Sequence, residues 1–510
     1  MTRLRQFTRG VSSSWLATLA TVAYSLLSVP IALRYLSVDE FGLFVLLIQV
    51  TGYFTLIEIG MSAATARILV DHKDDPNTGS YGSVILTGLC FFVAQAVVIL
   101  AVGVVAAPWI IMVIGVPAAF TEIGTLLLRW LAITSAVSFV FRIYGSVLYA
   151  NKRLDLIHAF MGVNMLVSIA LLALILAAGG GLASLVWLFL AQTALSIFLP
   201  LFACYKLALL PQKGQWGRPT LQRLRELFGF GKDIFLINVG NQVLEASQLI
   251  IVTRTMGLTA AAAWSVSTKL FGLVYQLITK IEGTAIVFFA EMIVRGEAGK
   301  LAGRFRQIYQ ITAGICVVAL AVVVSINCFF VSAWASPSLA WPLSLSALIA
   351  LVVFLNALTK CNGDLIIHSK AIYTFRYVYF LEAAMFVALA LLLASRFGFY
   401  GIVASSLFCV VLFRGTYTSW RMARYFEQPI RVFCWTWIQR PLAAAALLVP
   451  FVVTTSIVAN MATNPWAQLA IASAWIGIPS LIGLFTFVLP RDVTEELTLR
   501  WQQFSLTGKG

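Results

Sequence analysis

The feature that most constrains this chain is a succession of apolar runs, each about twenty residues long, along nearly its whole length. A helix of that length crosses a hydrocarbon core of roughly 30 Å. Inside hydrocarbon the backbone N–H and C=O groups must pair within the segment, so runs of this kind form helices. Fourteen can be marked, the first at 11–33 and the last at 466–489. The expected fold class is all-α, a polytopic membrane protein with about 14 transmembrane helices. Composition agrees: 11% of residues are charged, where a soluble domain carries about 25%. The first run follows the basic start MTRLRQFTRG but continues to about Leu33 without a small-residue cleavage site. It is expected to be a transmembrane helix, not a signal peptide.

The net charge of +15 would suit nucleic acid, but its distribution argues otherwise. With the N-terminus in the cytoplasm, most of the 35 Lys and Arg fall on cytoplasmic segments or helix ends, and only Arg34, Arg254 and Arg396 fall on the other side. That bias is the positive-inside signal, which puts both termini in the cytoplasm and implies no nucleic-acid partner. Seven scattered Cys suggest neither disulfides nor a metal site. His72, His158 and His368 lie at separate helix ends, so no catalytic or metal constellation is expected.

Loops on the outer side are short, the longest about 107–121, which leaves no room there for a folded catalytic domain. On the cytoplasmic side only 205–232 is substantial. Leu221, Leu224 and Phe228 share one helical face within it, which suits either a short amphipathic helix at the lipid surface or a basic linker between two halves.

The chain repeats itself. RYLSVDEFGLF from Arg34 aligns with RTMGLTAAAAW from Arg254 at an offset of 220, and GSVLYANK from Gly145 aligns with GDLIIHSK from Gly363 at 218. GGGLAS (179–184) and GFYGIVAS (398–405) precede matching runs. An even number of spans per half makes these parallel repeats, a common transporter plan. The expected organisation is a six-helix lobe at 1–204, a cytoplasmic linker at 205–229, a second six-helix lobe at 230–425, an additional transmembrane pair at 426–490 and a cytoplasmic tail at 491–510.

Polar stripes run inside the apolar segments. The first span carries Ser14, Thr18, Thr21, Ser25 and Ser28, and the seventh carries Asn238, Asn241, Glu245 and Gln248. Steps of three and four put each set on one face. At the offset of 220, Thr18, Thr21, Ser25 and Ser28 fall on those four residues of the seventh span. Polar faces avoid lipid, so both stripes should face the bundle, as helix–helix contact or as the wall of a wet cavity. Charges also occur in spans: Glu58, Arg129, Lys269, Lys280, Glu282, Lys360 and Glu382, with Arg142 at a cytoplasmic end matching Lys360 at the offset of 218. A charge at the bilayer centre costs at least about 2.5–3.5 kcal/mol. Local accounts exist: Lys360 and Asp364 are four apart and can neutralise each other, Arg129 can snorkel outward, and Glu282–Gly283 can mark a kink. Cations kept in both halves are better explained by a shared anionic ligand, with Glu58, Glu245 and Glu282 as counter-charges or coupling-ion carriers. The expected architecture places the cavity chiefly among spans 1, 2, 7 and 8.

The stretch RYLSVDEFGLFVLLIQVTGYFTLIEIGMSAATAR resembles the Wzx-type polysaccharide flippases of the MATE-like MOP superfamily. Arg34, Leu36, Phe41, Gly42, Phe44, Gly60 and Arg67 fit the pattern, while Ser37 and Val38 replace the usual Gly-Pro. In the second half Arg254, Gly257, Trp264, Ser265, Lys269 and Leu270 fit, and the familiar Phe-Pro ending of the eighth span is replaced by FFAEM. The fourteen-span lipid II flippases are also similar in plan, but their Asp-Ala-Phe pattern after the first turn is missing. The resemblance implies that the chain translocates a polyprenyl-diphosphate-linked oligosaccharide from the cytoplasmic to the periplasmic leaflet of a bacterial inner membrane. It would act without cofactor, as a monomer alongside a polysaccharide polymerase and other assembly proteins. Arg129, Arg142, Lys269, Lys280 and Lys360 would hold the diphosphate, and Asn238, Asn241 and Gln248 the sugar. The last helix pair would border a groove for the lipid tail. No G-x-x-x-x-G-K-[ST] loop is present, so energy would come from gradients or from downstream consumption. The alternatives are a MATE-type cation/drug antiporter, whose cavity should be acidic and aromatic, a membrane glycosyltransferase or ligase, and a scaffold for polysaccharide assembly.

Overall fold

A computed structural model describes residues 3–58, 60–73, 79–369 and 372–488. The tail expected at 491–510 and Lys370 of the second repeat lie outside the described residues. Thirteen helices among those described are long and apolar enough to cross a membrane, and the protein is a multi-pass membrane protein. The segment 258–290, read as one span in the sequence, is two helices broken at Thr268. By contact, the chain forms two compact units, divided in sequence between Ser265 and Val266.

The first unit is built from α1 (Arg3–Tyr35), α2 (Val38–Thr51), α3 (Met61–His72), α4 (Ser80–Leu100), α5 (Ala107–Ile114), α6 (Ala118–Ala150), α7 (Leu154–Ala177), α8 (Leu185–Lys206) and α9 (Leu221–Met256). The helix α10 (Leu258–Ser267) runs across the division between the units. Within the first unit α1 packs on α7, and α6 packs on α4 and α8. Met61, Leu69, Phe92, Ile143, Val147 and Leu227 form one of its cores. Leu227 belongs to the first turns of α9, so the amphipathic stretch after Thr220 is continuous with the seventh span. Thr220 caps it by accepting from the Arg223 N–H, and Phe228 packs edge-on against Phe91.

Span 2 is interrupted. It begins at a capping box, in which the Ser37 hydroxyl accepts from the Glu40 N–H at 3.3 Å. The Glu40 carboxylate in turn accepts from the Ser37 N–H at 2.8 Å. Two orphan donors at the head of α2 are satisfied at once, which gives Ser37 its role as N-cap. After Thr51 the chain tightens into a 3₁₀ segment, Gly52–Glu58, and Gly60 stands at φ +69° before α3. A left-handed backbone is readily adopted by glycine, so the break sits where the sequence permits it.

The second unit comprises α11 (Lys269–Val294), α12 (Ala298–Trp334), α13 (Leu343–His368), α14 (Ile372–Phe397), α15 (Phe399–Val410), α16 (Thr416–Tyr425), α17 (Ile430–Ala459) and α18 (Pro465–Gly483). The C-terminal pair α17–α18 packs on α12, where Val318, Ala444, Leu448 and Ile476 meet. Phe305, Tyr309 and Trp437 stack beside Phe426 and Phe433, with the Phe433–Trp437 centroids 4.1 Å apart. Single π-helical turns interrupt the helices at Ala101–Val105, Val411–Gly415 and Leu484–Val488. Such turns often sit at functional positions, and that at Val411–Gly415 holds Arg414.

Candidate functional site

The polar groups of the spans gather differently in the two units. In the first, the break in span 2 turns toward α6. Glu58, its last 3₁₀ residue, forms an ion pair with Arg142 of α6, and the Arg142 guanidinium lies 3.9 Å from the Phe139 ring centroid. The expected counter-charge and one of the expected cations are therefore partners. Ser146, one turn beyond Arg142, donates to the Ser62 carbonyl at 3.3 Å. Gln95 of α4 donates to the Ile57 carbonyl, replacing a ladder bond that the break removes.

Beside this pair lies a cavity of about 370 Å³, walled by the α2 end and the 3₁₀ segment, by α6, by Asn164 of α7 and by α8. Its lining mixes hydroxyls and amides, among them Thr51, Thr55, Thr134, Asn164, Gln192 and Ser196, with apolar side chains, and Arg142 is its one cation. Gln192 and Asn164 are tied together: Asn164 Nδ2 donates to the Gln192 carbonyl at 3.4 Å, and Gln192 Nε2 to the Ser168 hydroxyl at 2.9 Å. Tyr24 of α1 also hydrogen-bonds Gln192. Arg129, about three and a half turns before Arg142 on α6, stays outside this site. It is exposed, and its Nε donates to the Val104 carbonyl at 3.3 Å.

The stripe of the seventh span keeps to one face of α9. Asn238 and Glu245 are exposed, while Asn241 and Gln248 are half-buried. Contact with the break in span 2 comes from neighbouring positions: Gln242 packs over Gly52, and Ser247 hydrogen-bonds Tyr53. On span 1, Thr18 and Thr21 donate to the carbonyls of Ser14 and Ala17 in their own helix.

In the second unit Lys360 and Asp364 of α13 form a two-pronged contact, with Nζ 3.0 and 2.8 Å from the carboxylate oxygens. The local neutralisation read from their spacing is present. Glu282 of α11 is 4% exposed and lies within electrostatic reach of this pair. Its Oε2 has no hydrogen-bond partner among the described residues. Lys269, at the first turn of α11, and Lys280 are half-buried.

One strong cluster had no counterpart among the expected sites. Arg414, in its π turn, donates through Nε to both Glu382 oxygens at 2.8 and 2.7 Å and through an Nη to Asn356 Oδ1 at 2.7 Å. Both charged side chains are buried, with Glu382 1% exposed. Among the sequence signals, Glu382 stood out as a charge in a span, but a partner 32 positions away leaves no periodic trace. The cavity residues did leave one: Asn164–Ser168 and Gln192–Ser196 are pairs at a helical spacing of four inside apolar runs.

The second unit also holds an apolar cavity of about 830 Å³ between α12, α13 and α17, bordered by Leu320, Val324, Leu351, Phe354, Leu448 and Val452.

Comparison with known proteins places these features in context. The model of a family described as polysaccharide biosynthesis protein matches residues 31–316. The succinoglycan biosynthesis transport protein ExoT of Rhizobium meliloti (strain 1021) is 24% identical over 293 residues, 56% of this chain and 54% of that protein. The chain thus spans about half the length of the curated relative it matches. Among solved structures, the lipid II flippase MurJ in its inward closed conformation superposes with a TM-score of 0.72 at 12% identity, covering 95% of this chain and 99% of that one. An inward-facing multidrug resistance MATE family transporter of the MOP superfamily gives 0.69 at 12% identity, covering 80% and 96%. At such identity the likeness is one of fold, and the fold is that of the MATE-like transporters.

Proposed function

Since the chain belongs to the polysaccharide biosynthesis protein family, we propose that it carries a polyprenyl-diphosphate-linked oligosaccharide from the cytoplasmic to the periplasmic leaflet of a bacterial inner membrane. It would do so by alternating access, without chemistry on the cargo, to supply surface polysaccharide assembly. The observation that carries the reading is the presence, within membrane-spanning helices, of two cavities of opposite character. One is about half polar, with hydroxyls and amides in its wall, the other is lined by aliphatic side chains beside the C-terminal helix pair. A lipid-linked sugar has both natures in one molecule. Polar walls in a membrane are costly unless water or a polar cargo meets them. An 830 Å³ apolar recess bordered by α17 suits part of a polyprenyl tail.

The cations expected to hold the diphosphate are retained in this reading, with different weights. Lys269 of α11 is the stronger candidate beside Arg142 and Lys360, which already answer carboxylates. Both termini are read as cytoplasmic from the charge bias, and the polysaccharide polymerase and membrane lipids as partners.

The test is direct. Vesicles reconstituted with the protein receive a lipid-linked oligosaccharide on one leaflet, and a membrane-impermeant sugar reagent reports its arrival on the other. Protein-dependent transfer supports the reading; protein that reconstitutes in full yet leaves transfer at the level of empty vesicles overturns it. A second reading, a MATE-type cation antiporter, is favoured by the buried Glu282 with its unpartnered oxygen. It requires organic-cation efflux driven by an ion gradient in the same vesicles.

A further inference from the structure

We propose that the cavity of the first unit is a subsite for an uncharged sugar ring of the cargo and does not hold the diphosphate. The inference rests on the flippase reading and assigns one part of the cargo to one place.

The argument begins with hydrogen-bond polarity. A hydroxyl has one proton to donate and two lone pairs to offer. Of the seven hydroxyls that line this cavity, four have already committed their protons to their own helices. Thr51 donates to the Ile48 carbonyl at 2.7 Å and Thr55 to the Gly52 carbonyl at 2.6 Å. Thr134 donates to the Trp130 carbonyl at 2.9 Å and Ser196 to the Thr193 carbonyl at 2.8 Å. What these four present to an occupant is acceptor oxygen. A diphosphate is itself an array of acceptors and would meet them lone pair to lone pair. A sugar ring brings several O–H donors and matches them.

Electrostatics leads to the same choice. Arg142 is the one cation lining the cavity, and its charge is balanced by Glu58. A dianionic group placed beside a neutral pair gains little net attraction and gives up its hydration. Shape agrees as well. Phe54, Phe139 and Phe189 border the same space, and flat aromatic faces suit the C–H faces of a pyranose. The volume of about 370 Å³ lies at the small end of ligand pockets, which run from about 300 to 1,000 Å³. It has room for a ring or two and none for a long glycan.

The experiment uses the full-length protein in detergent and two probes. One is the free, phosphate-less oligosaccharide released by mild acid from the host's own lipid-linked pool. The other is undecaprenyl diphosphate carrying no sugar. The wild-type protein should bind the free oligosaccharide saturably. Thr55→Val with Ser196→Ala, which removes two acceptors contributed by two different elements while keeping the volume nearly constant, should weaken that binding about tenfold. Binding of the sugar-free lipid should stay within about twofold, and a rise in salt should leave the oligosaccharide affinity nearly unchanged, since no net charge is involved. Melting temperature checks the variants, and Thr51→Val replaces Ser196→Ala if the latter fails to fold. The subsite is overturned if the free oligosaccharide does not saturate, if the variants bind it as the wild type does, or if they lose the sugar-free lipid instead. Wild-type flipping in vesicles separates the two readings. Transfer that persists alongside any of those results removes the subsite and leaves the flippase; absent transfer removes the flippase.

Discussion

Thr259 donates its hydroxyl to Asp39 at 2.5 Å, and the two residues are separated by 220 positions, the offset at which RYLSVDEFGLF aligns with RTMGLTAAAAW in the sequence. The first turns of α2 and α10 thus touch each other. One step along, the backbone of Leu258 lies so close to Gly42 that a Cβ there would collide with the Leu258 carbonyl. Gly42, inside α2, leaves room for this close approach of two backbones.

Gly42→Ala should therefore destabilise the protein by about 1–3 kcal/mol, the usual cost of overpacking a filled contact. Thermal unfolding in detergent measures it. A melting temperature equal to that of the wild type would mean that the two turns are not held in contact.

Glu58 and Arg142 should behave as a unit. Either Glu58→Gln or Arg142→Gln alone leaves a half-buried charge without its partner, and the double variant leaves none. A double-mutant cycle on unfolding should give a coupling of about 0.5–3 kcal/mol, with the double variant more stable than the sum of the singles predicts. Additive losses would show that the pair contributes nothing as a pair. Export in the Gln variants is a separate readout: transport with unchanged ion dependence in Glu58→Gln and Glu245→Gln would remove both carboxylates from any coupling role.

Arg414 and Glu382 are more deeply placed, so the penalty is larger. Glu382→Ala leaves a buried guanidinium unpaired and should cost about 3–5 kcal/mol, read as a sharp fall in membrane abundance. Glu382→Gln, which still accepts a hydrogen bond, should fall less. Equal abundance for both would contradict a structural ion pair.

The lysines test the headgroup contact. A charge-assisted bond to phosphate contributes about 1.5–3 kcal/mol, so Lys280→Ala or Lys269→Ala should weaken cargo binding by about one to two decades, with Lys→Arg better tolerated. Lys360→Ala alone is ambiguous, because it strands Asp364; Lys360→Ala with Asp364→Ala isolates the binding role. Complementation of polysaccharide export, with protein level measured in parallel, decides. Intact export from the combined alanine variants would bring the antiporter reading forward.

The sequence carried the helical architecture and the Lys360–Asp364 contact because both are written in local spacing. Apolar runs report length against the bilayer, and a separation of four reports one helix face. The Glu58–Arg142 pair was visible as two charges but not as a pair, since 84 positions separate them and no period links α2 to α6. Arg414 was harder still. A π turn shifts helical phase by a fraction of a turn, so a residue inside it is assigned to the wrong face by a 3.6-residue reading. Asn164, Gln192 and Ser196 were within reach of the stripe argument used for spans 1 and 7. Two polar residues in a span are a weaker signal than four or five.

The interrupted second span sets where this part of the molecule can yield. α2 is fastened at its head by the capping box and by Asp39 to Thr259, and the far side of the break is fastened to α6 through Ser62 and Ser146. Between them the regular ladder of backbone bonds stops, and Gly60 is a residue whose torsions rotate at low cost. Bending an unbroken helix means stretching several hydrogen bonds together; bending here means turning a few dihedrals. Two rigid rods joined by a soft joint can tilt independently. The Glu58–Arg142 pair, set at that joint, then acts as its latch.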